Sequence, residues 1–425
     1  MESSARGRLE SISRHLLQPR EADHAIHPVS LKAGKSEDEE AEPVIIGGMI
    51  LDIHATPSIP TNSRTTTPGK VKYILGGVAR NVAECMSKLG TKPFMISAVG
   101  LDMAGNLLLE QWRSAELSIE GIRKHPDIGT AVVCNIFDIN GELAAGVASV
   151  KEIETFLTPE WIQQFKCNIC SAPVLMVDAN LNQSALEASC RMAAESGVPV
   201  WFEPVSVSKS RRIASVAKFV TFVSPNEDEL VAMASALAPG NMLNTITEPK
   251  RTKPSIQCLF KMLKPAICVL LERGITIVAV TLGSDGVFLC SKGIPSIQRI
   301  NVARTKLHGF GRQLYETVAS RCSSNLHPLA RGSEKSSHLF VMHFPALPTS
   351  VVRLTGAGDC LVGGALASIC AGLDVMQSLA VGIAAAKAAV ESETNVPSEY
   401  NVATIADDAR AVYSAAKVIF NHSML

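Results

Sequence analysis

The chain has 425 residues, of which 47% are hydrophobic and 19% charged, a composition typical of a folded protein with a large core. Its 40 Lys and Arg residues balance its 40 Asp and Glu residues, so we expect binding to neither nucleic acid nor an anionic membrane. The 11 Cys residues are scattered without a regular framework, which favours reduced thiols.

Residues 1–42 differ from the rest, being rich in Ser, Arg and Glu, and are predicted to form a disordered tail. Arg8-Leu9, five residues and then His15-Leu16 match the spacing of the N-terminal peroxisomal targeting signal, with both pairs on one helical face. A mitochondrial or plastid transit peptide is the alternative interpretation. Ser423-Met424-Leu425 resembles a weaker variant of the C-terminal S-K-L signal. We expect peroxisomal localisation, with the cytoplasm as the alternative.

Residues 43–400 alternate between short apolar runs and helical stretches such as Ser184–Glu195. This alternation predicts a doubly wound α/β domain with a mostly parallel sheet, followed by a C-terminal helix and tail at 401–425. The predicted strands are Val44–Ile46, Phe94–Val99, Val174–Val177, Val200–Phe202, Phe219–Val223 and Ile277–Thr281.

Two segments interrupt this alternation. Residues 128–150 contain two strand-like runs around Asn140-Gly141, a pair that favours a tight hairpin. With strands near 53–75, this hairpin is predicted to form a small β lid. Residues 291–343 are basic and lack clear periodicity, so they are predicted to be an inserted, solvated and partly disordered loop. The histidines of this insert, His308, His327 and His343, are interpreted as surface residues rather than metal ligands.

The most informative motif is Thr355-Gly356-Ala357-Gly358-Asp359, which precedes an apolar helix of small residues. A glycine turn that opens a helix directs free backbone N–H groups and the helix dipole at one place, which suits a phosphate. Asp359 is placed to accept a proton from a hydroxyl that attacks this phosphate. Taken alone, the motif is equally compatible with an Asp that only caps a helix.

A second motif runs from Gly76-Gly77 to Asn81. It puts two glycines at a helix start and an amide one turn later, an arrangement that suits a polyhydroxylated ligand close to the backbone. Asn226-Glu227-Asp228-Glu229 and Thr281-Leu282-Gly283-Ser284-Asp285-Gly286 lie between the two motifs. In this order the four motifs resemble those of the PfkB/ribokinase family of sugar and nucleoside kinases, over about 44–397. The resemblance implies a ribokinase-like fold and ATP-dependent phosphorylation.

The resemblance also implies a role for each matching residue. Asp359 is expected to be the catalytic base, and the backbone of Gly356, Ala357 and Gly358 the anion hole. The sugar pocket is expected to contain Asp52, just after the first strand, with Gly76, Gly77, Asn81, Asp178 and Asn180. The ATP site is expected to contain Asn226, Thr281, Gly283 and Gly286, and Glu229 is expected to organise magnesium.

Within the family, the chain looks closest to the pseudouridine kinases, and a peroxisomal leader fits the plant members of that group. Gly76 to Asn81, Val177 to Leu181 and Phe202 to Ser206 carry this resemblance. It implies phosphorylation of the ribose 5′-hydroxyl of pseudouridine. The alternatives are a kinase of this family for adenosine, inosine, ribose or fructose, and a catalytically silent scaffold.

The chain departs from the family at Arg353, where many relatives have an Asp that holds a monovalent cation. Either this guanidinium replaces the cation, which predicts weak potassium dependence, or Arg353 points outward. Polarity and position make Thr130, Asn135 and Arg80 the candidates that contact the base. Relatives are often dimers through the lid strands, and the sequence is compatible with a homodimer or a monomer.

Overall fold

The computed structural model describes residues 41–62, 64–140, 142–239, 254–293, 309–322 and 338–423. The predicted targeting signal at 8–16 and the last two residues lie outside this range. The strands of the described residues are β1 Val44–Ile46, β2 Ile50–Pro57, β3 Gly69–Gly76, β4 Phe94–Gly100, β5 Ile122–His125, β6 Val132–Phe137, β7 Leu143–Ser149, β8 Leu175–Asp178, β9 Val200–Glu203, β10 Phe222–Val223, β11 Ile277–Thr281, β12 Val287–Lys292, β13 His338–Phe344 and β14 Lys417–Ser423.

The α-helices of the same residues are α1 Val78–Lys88, α2 Met103–Ser114, α3 Lys151–Phe156, α4 Pro159–Gln163, α5 Lys166–Ser171, α6 Gln183–Glu195, α7 Val207–Ser210, α8 Ile213–Val216, α9 Glu227–Leu237, α10 Ile256–Glu272, α11 Gly309–Arg321, α12 Ala357–Cys370, α13 Val375–Val390 and α14 Val402–Ala415. Short 3₁₀ helices lie at Ala217–Phe219 and Gly283–Asp285. No helix of the described residues is long and apolar enough to cross a membrane.

In the described residues, ten strands form the main sheet, in the order β14-β13-β12-β11-β10-β9-β8-β1-β4-β5. The seven strands from β11 to β5 are parallel, and β12, β13 and β14 are antiparallel additions at one edge. Buried apolar residues cover both faces of the sheet, as expected for parallel strands between layers of helices. The predicted α/β fold class is confirmed.

A second sheet, with the order β3-β2-β6-β7 in the described residues, forms the lid. Asp52, predicted just after the first strand, lies inside β2 of this sheet, and its register partner on β3 is Ile74. His54 is paired with Asn135 of β6. Because side chains alternate between the faces of a strand, Asp52, His54 and Asn135 share the lid face that looks onto the main domain, and Tyr73 lies on the other.

The prediction that 291–343 is an irregular insert is wrong at both ends. Residues 291 and 292 complete β12, and His338–Phe344 forms β13, which is paired with β12 and β14. His343 therefore lies in a strand, and its ring contacts Phe288. The sequence misled because two histidines interrupt an otherwise apolar run that is buried at five of its seven positions. His308 and His327 lie outside the described residues.

Residues 402–423 belong to the domain: the predicted C-terminal helix is present, and the residues that follow it, predicted as a tail, form β14. Helix α14 buries Ile405, Ala409 and Val412, and β14 is hydrogen-bonded to β13 at the sheet edge. The predicted boundary at residue 400 is therefore wrong, because the apolar face of the last helix and the open edge of β13 both require a partner.

Candidate active site

The turn before α12 has the geometry of an anion site. Gly356 caps the helix with a φ of 89°, a left-handed conformation that glycine adopts without strain. A Cβ at Gly356 would lie 2.1 Å from the Asn395 carbonyl oxygen, so only glycine fits. A Cβ at Gly358 would meet nothing within 4 Å, which leaves space for a ligand beside Ala357 and the first N–H groups of the helix.

Asp359 lies in the first turn of α12, next to this space. Its Oδ2 accepts a hydrogen bond of 2.7 Å from Nδ2 of Asn81, in the first turn of α1. Burial raises the pKa of Asp359 to about 6. The carboxylates of Asp178 and Asp52 also raise it, whereas the Asn81 hydrogen bond and the Arg80 charge lower it. A carboxylate with a pKa close to neutral suits a general base.

The glycines of the second motif bring the backbone against the predicted sugar pocket. Gly77 has a φ of 97°, and a Cβ there would lie 2.3 Å from the Gly48 carbonyl oxygen. A Cβ at Gly76 would lie 2.2 Å from Oδ2 of Asp52, so glycine is what allows this carboxylate to enter the pocket. Burial raises the pKa of Asp52, and the side chain of Asn395 donates to it over 3.3 Å.

Asp178 and Asn180, which were predicted to lie in the sugar pocket, are buried beneath it. Asp178 is 0% exposed, and its Oδ2 accepts from the backbone N–H groups of Gly48 and Ala79 at 3.0 and 3.2 Å. Asn180 donates to the same carboxylate through its backbone and its side chain, at 2.9 and 3.0 Å. Four donors occupy Asp178, which therefore holds the backbone beneath the pocket in place.

Arg353 points into the pocket, which contradicts the alternative that it points outward. Its guanidinium lies 2.8 Å from Nδ1 of His54 and donates over 3.2 Å to Oδ1 of Asn395. His54 and Asn395 were missed by the sequence analysis. The signal for His54 is its position two residues after Asp52 on a strand, but no local pattern marks Asn395, which is 343 residues from Asp52.

The predicted ATP-site residues lie at the ends of two neighbouring strands, β10 and β11. Asn226 caps α9 and forms a capping box with Glu229, in which each side chain accepts from the other's backbone N–H at 2.9 Å. Thr281, at the end of β11, forms a β-bridge with Asn226. The chain thus brings together two motifs that are more than 50 residues apart in the sequence.

Gly283 and Gly286 shape the turn after β11. They have φ values of 55° and 94°, which favour glycine. A Cβ at Gly286 would lie 2.0 Å from the Phe344 carbonyl oxygen, because this turn packs against the end of β13. The two glycines therefore keep a tight backbone at the strand ends, where α/β proteins bind ligands.

Carboxylates are concentrated between the sugar pocket and the predicted ATP site. Glu203, at the end of β9, is buried and accepts a hydrogen bond from Ser224. Burial raises its pKa well above the usual range, and the charges of Asp359, Glu229 and Asp178 raise it further. In the described part of the chain, no group of three or more His, Cys, Asp or Glu side chains is arranged to hold a metal. The oxygen-rich, negative surroundings fit a magnesium ion that keeps several waters and binds phosphates.

Two of the three residues predicted to contact the nucleobase already bond to other residues of the protein. Thr130 donates to Asp102 at 2.6 Å and accepts from Gly100 N at 2.9 Å. Arg80 is 4% exposed and forms an ion pair with Glu84. Asn135 remains, and it lies on the inner lid face.

The chain matches the model of the pfkB family carbohydrate kinases over residues 41–303 and 330–399. It belongs to the PfkB family. As a member of this family it is a kinase that acts on a small-molecule substrate. The model omits residues 304–329, so the insertion relative to the family is shorter than the predicted 291–343 and includes helix α11.

The chain is 55% identical over 384 residues to the pseudouridine kinase of Arabidopsis thaliana, covering 90% of this chain and 100% of that protein. It is 29% identical over 197 residues to the pseudouridine kinase of Escherichia coli, covering 46% of this chain and 62% of that protein. The structure of Arabidopsis thaliana ribokinase complexed with ribose and ATP matches with a TM-score of 0.63 and 17% identity, covering 87% and 99% of the two chains. This structural similarity shows the ribokinase-like fold.

Replacing Asp178 by Asn is expected to lower the free energy of unfolding by about 1–3 kcal/mol. The amide NH₂ would replace an acceptor that faces the N–H groups of Gly48, Ala79 or Asn180. Urea unfolding measures the change. Asp127→Asn, at an exposed site, is the matched control and should change the value by less than about 0.5 kcal/mol. Equal stabilities of the two variants would contradict the supporting role of Asp178.

Proposed function

We propose that this protein is an ATP-dependent pseudouridine kinase, which transfers the γ-phosphoryl group of ATP to the ribose 5′-hydroxyl and forms pseudouridine 5′-phosphate. The observation that best supports this reaction is the hydrogen bond between Asn81 and Asp359, beside the glycine turn before α12. The 55% identity to the Arabidopsis thaliana pseudouridine kinase, along the whole of that protein, supports the substrate.

In the proposed reaction, the carboxylate of Asp359 accepts the proton of the 5′-hydroxyl as this oxygen attacks the γ-phosphorus. The new O5′–P bond forms while the bond between the γ-phosphorus and the bridging oxygen of ADP breaks. In this proposal the backbone N–H groups of Gly356, Ala357 and Gly358 stabilise the charge on the transferring phosphoryl oxygens, and the N–H of Ala357, which here donates to the Leu354 carbonyl oxygen over 3.3 Å, would exchange that bond for the ligand. Most of the catalysis is therefore positioning and electrostatic stabilisation.

In this proposal, residues of the lid and of the main domain together hold the sugar. The carboxylate of Asp52 has acceptor capacity for two vicinal hydroxyls, which favours a ribose. Asn81 lies between Arg80 and Asp359, since its Oδ1 accepts from Arg80 at 3.0 Å and its Nδ2 donates to Asp359. These two hydrogen bonds fix the Asn81 amide, so that it orients both the Asp359 carboxylate and the attacking hydroxyl.

Magnesium is the proposed metal, bound with ATP. Glu229, and Asn226 beside it, are the residues that would hold its water shell near the phosphates. When bound, the ion neutralises charge on the phosphates. The protein supplies the capping box, which fixes Glu229 relative to Thr281 and the ATP-site turn.

Asp359→Asn is expected to lower turnover of pseudouridine by at least about 10²-fold, because the amide cannot accept the hydroxyl proton. An assay of ATP-to-ADP conversion with magnesium measures it against pseudouridine, uridine, adenosine, ribose and fructose. Turnover selective for pseudouridine and lost in the variant supports the proposal. Preference for another compound would replace the substrate, and no turnover with any of them would favour a silent scaffold.

The kcat/KM of the protein is expected to rise with pH through an apparent pKa of about 6, because only the ionised Asp359 accepts a proton. Since the Asn81 hydrogen bond lowers this pKa, Asn81→Ala should move the rising limb to higher pH. A pH–rate profile of both proteins measures the shift. A shift to lower pH, or none, would mean that Asn81 does not stabilise the ionised base.

Replacing sodium by potassium at constant ionic strength is expected to change kcat/KM by less than about twofold, because the Arg353 guanidinium supplies a fixed positive charge. Its bonds to His54 and Asn395 hold this charge near Asp52. The same turnover assay in the two salts measures it. A many-fold increase in potassium would contradict the replacement of the cation by Arg353.

A homodimer through the lid strands is proposed as the assembly. The outer lid face exposes the apolar side chains of Val71, Tyr73, Ile136 and Val147, which are 42–73% accessible. Apolar patches of this kind mark interaction surfaces. Light scattering of the protein and of a Tyr73→Lys variant tests it, since a wild-type monomer would exclude the dimer.

The peroxisome is proposed as the location, on the strength of Arg8-Leu9 and His15-Leu16. Imaging of a C-terminal fluorescent fusion tests this signal with the C-terminal residues masked. Cytoplasmic fluorescence that is unaffected by Arg8→Ala would contradict it.

A further inference from the structure

The inner lid face continues beyond Asp52 in the direction in which a nucleoside base would lie. Strand β2 begins next to Gly77, which caps the helix of Asn81, and the next inward side chain after Asp52 is His54. At about 3.3 Å per residue, His54 is roughly 6.6 Å farther along the strand. A ribose with its 5′-hydroxyl at Asp359 and its vicinal hydroxyls at Asp52 can then present its base to His54.

The environment of His54 fixes which ring nitrogen carries the proton. His54 is 8% exposed, and its ring packs at 5.1 Å from that of Phe137. Nδ1 lies 2.8 Å from the Arg353 guanidinium, which can only donate, so Nδ1 accepts and Nε2 carries the hydrogen. Burial, and then the charges of Arg353 and Lys72, lower the pKa of His54, which keeps the ring neutral.

Nε2 of His54 lies 3.5 Å from the carboxamide of Asn135. Because the oxygen and nitrogen of an amide are assigned from their partners, an N–H at Nε2 turns the Asn135 oxygen towards the ring. This oxygen retains a second lone pair, and the NH₂ retains donors for a ligand. Gly146 lies opposite Asn135 on β7, where a Cβ would come within 3.1 Å of the amide atom that points away from His54, so glycine leaves room for the amide in either orientation.

The amide matches one edge of the pseudouridine base. The glycosidic bond of pseudouridine is at C5, so the ring presents an N1–H next to the C2 carbonyl. Uridine, whose glycosidic bond is at N1, presents a C5–H and a carbonyl at the same two places. An acceptor beside a donor, as in a carboxamide, pairs with both groups of pseudouridine but with only one of uridine.

We propose that Asn135, oriented by His54, pairs with the N1–H and C2 carbonyl of pseudouridine and thereby selects it over uridine. The proposal rests on the proposed function and names the specificity residue of that site. His54 is a positioning residue, which acts through the amide. The loss of one hydrogen bond to a buried partner accounts for a selectivity of about ten- to a hundredfold.

The test compares kcat/KM for pseudouridine, uridine and N1-methylpseudouridine in the full-length protein. Asn135→Ala is expected to lower the value for pseudouridine about tenfold more than the values for the other two compounds, which lose only the bond to the carbonyl. Asn135→Asp, which keeps an acceptor for N1–H, should retain part of the preference. Asn106→Ala makes the same change at an exposed position of α2 and should have no effect.

His54→Phe keeps the aromatic contact with Phe137 but removes both ring nitrogens. It is expected to reduce the preference as Asn135→Ala does, and the double variant should be no less selective than either, because both act on one amide. Additive losses would show that His54 acts independently of Asn135 and would overturn its positioning role.

The outcomes separate the inference from the proposed function. If the wild-type protein does not phosphorylate pseudouridine, the proposed function fails. If it prefers pseudouridine and Asn135→Ala preserves that preference, or lowers all three values equally, the inference is overturned and the function stands. Equal turnover of N1-methylpseudouridine and pseudouridine by the wild-type protein would overturn the inference without any variant.

Discussion

The buried carboxylate of Asp178 is the interaction on which the geometry of the site depends. Helix α1 begins at Gly77, which has no side chain to cap it, and Asp178 from the neighbouring strand accepts the N–H of Ala79 instead. The same oxygen accepts the N–H of Gly48, after β1. One carboxylate therefore joins the ends of two parallel strands to the positive end of a helix. Because Asn81 is in the first turn of that helix, Asp178 also determines where Asn81 meets Asp359.

This arrangement brings several buried carboxylates close together and so creates a high density of negative charge. In addition to the effect of burial, the charges of Asp178 and Asp52 raise the pKa of Asp359, and those of Asp359, Glu229 and Asp178 raise the pKa of Glu203. Donors offset the repulsion at each carboxylate: the amide of Asn81 at Asp359, and four N–H groups at Asp178. The remaining negative charge raises the affinity of Asp359 for a proton, which suits its proposed role as general base, and it suits the magnesium that we propose to bind with ATP.

The sequence was sufficient for those features that short segments encode. The glycine turn before Asp359 and the glycines at 283 and 286 need left-handed backbone, which glycine itself signals. Features that depend on distant contacts were missed or wrong. Asn395 reaches Asp52 across 343 residues, and Arg353 reaches His54 across 299. Strand β14 forms because it pairs with the open edge of β13, and nothing within its own seven residues predicts that pairing.

The lid links the proposed selection of a substrate to the pKa of Asp359. Asp52 is carried by the lid, while Asp359 is carried by the main domain, and the charge of the first raises the pKa of the second. The proton affinity of Asp359 therefore depends on where the lid places Asp52. Asn395 donates to Asp52 and accepts from Arg353, and Arg353 also bonds to His54. These hydrogen bonds hold Asp52 in position and connect it to His54. In the proposed mechanism, the lid position that binds the sugar hydroxyls through Asp52 thus also sets the electrostatic surroundings of the carboxylate that accepts the proton.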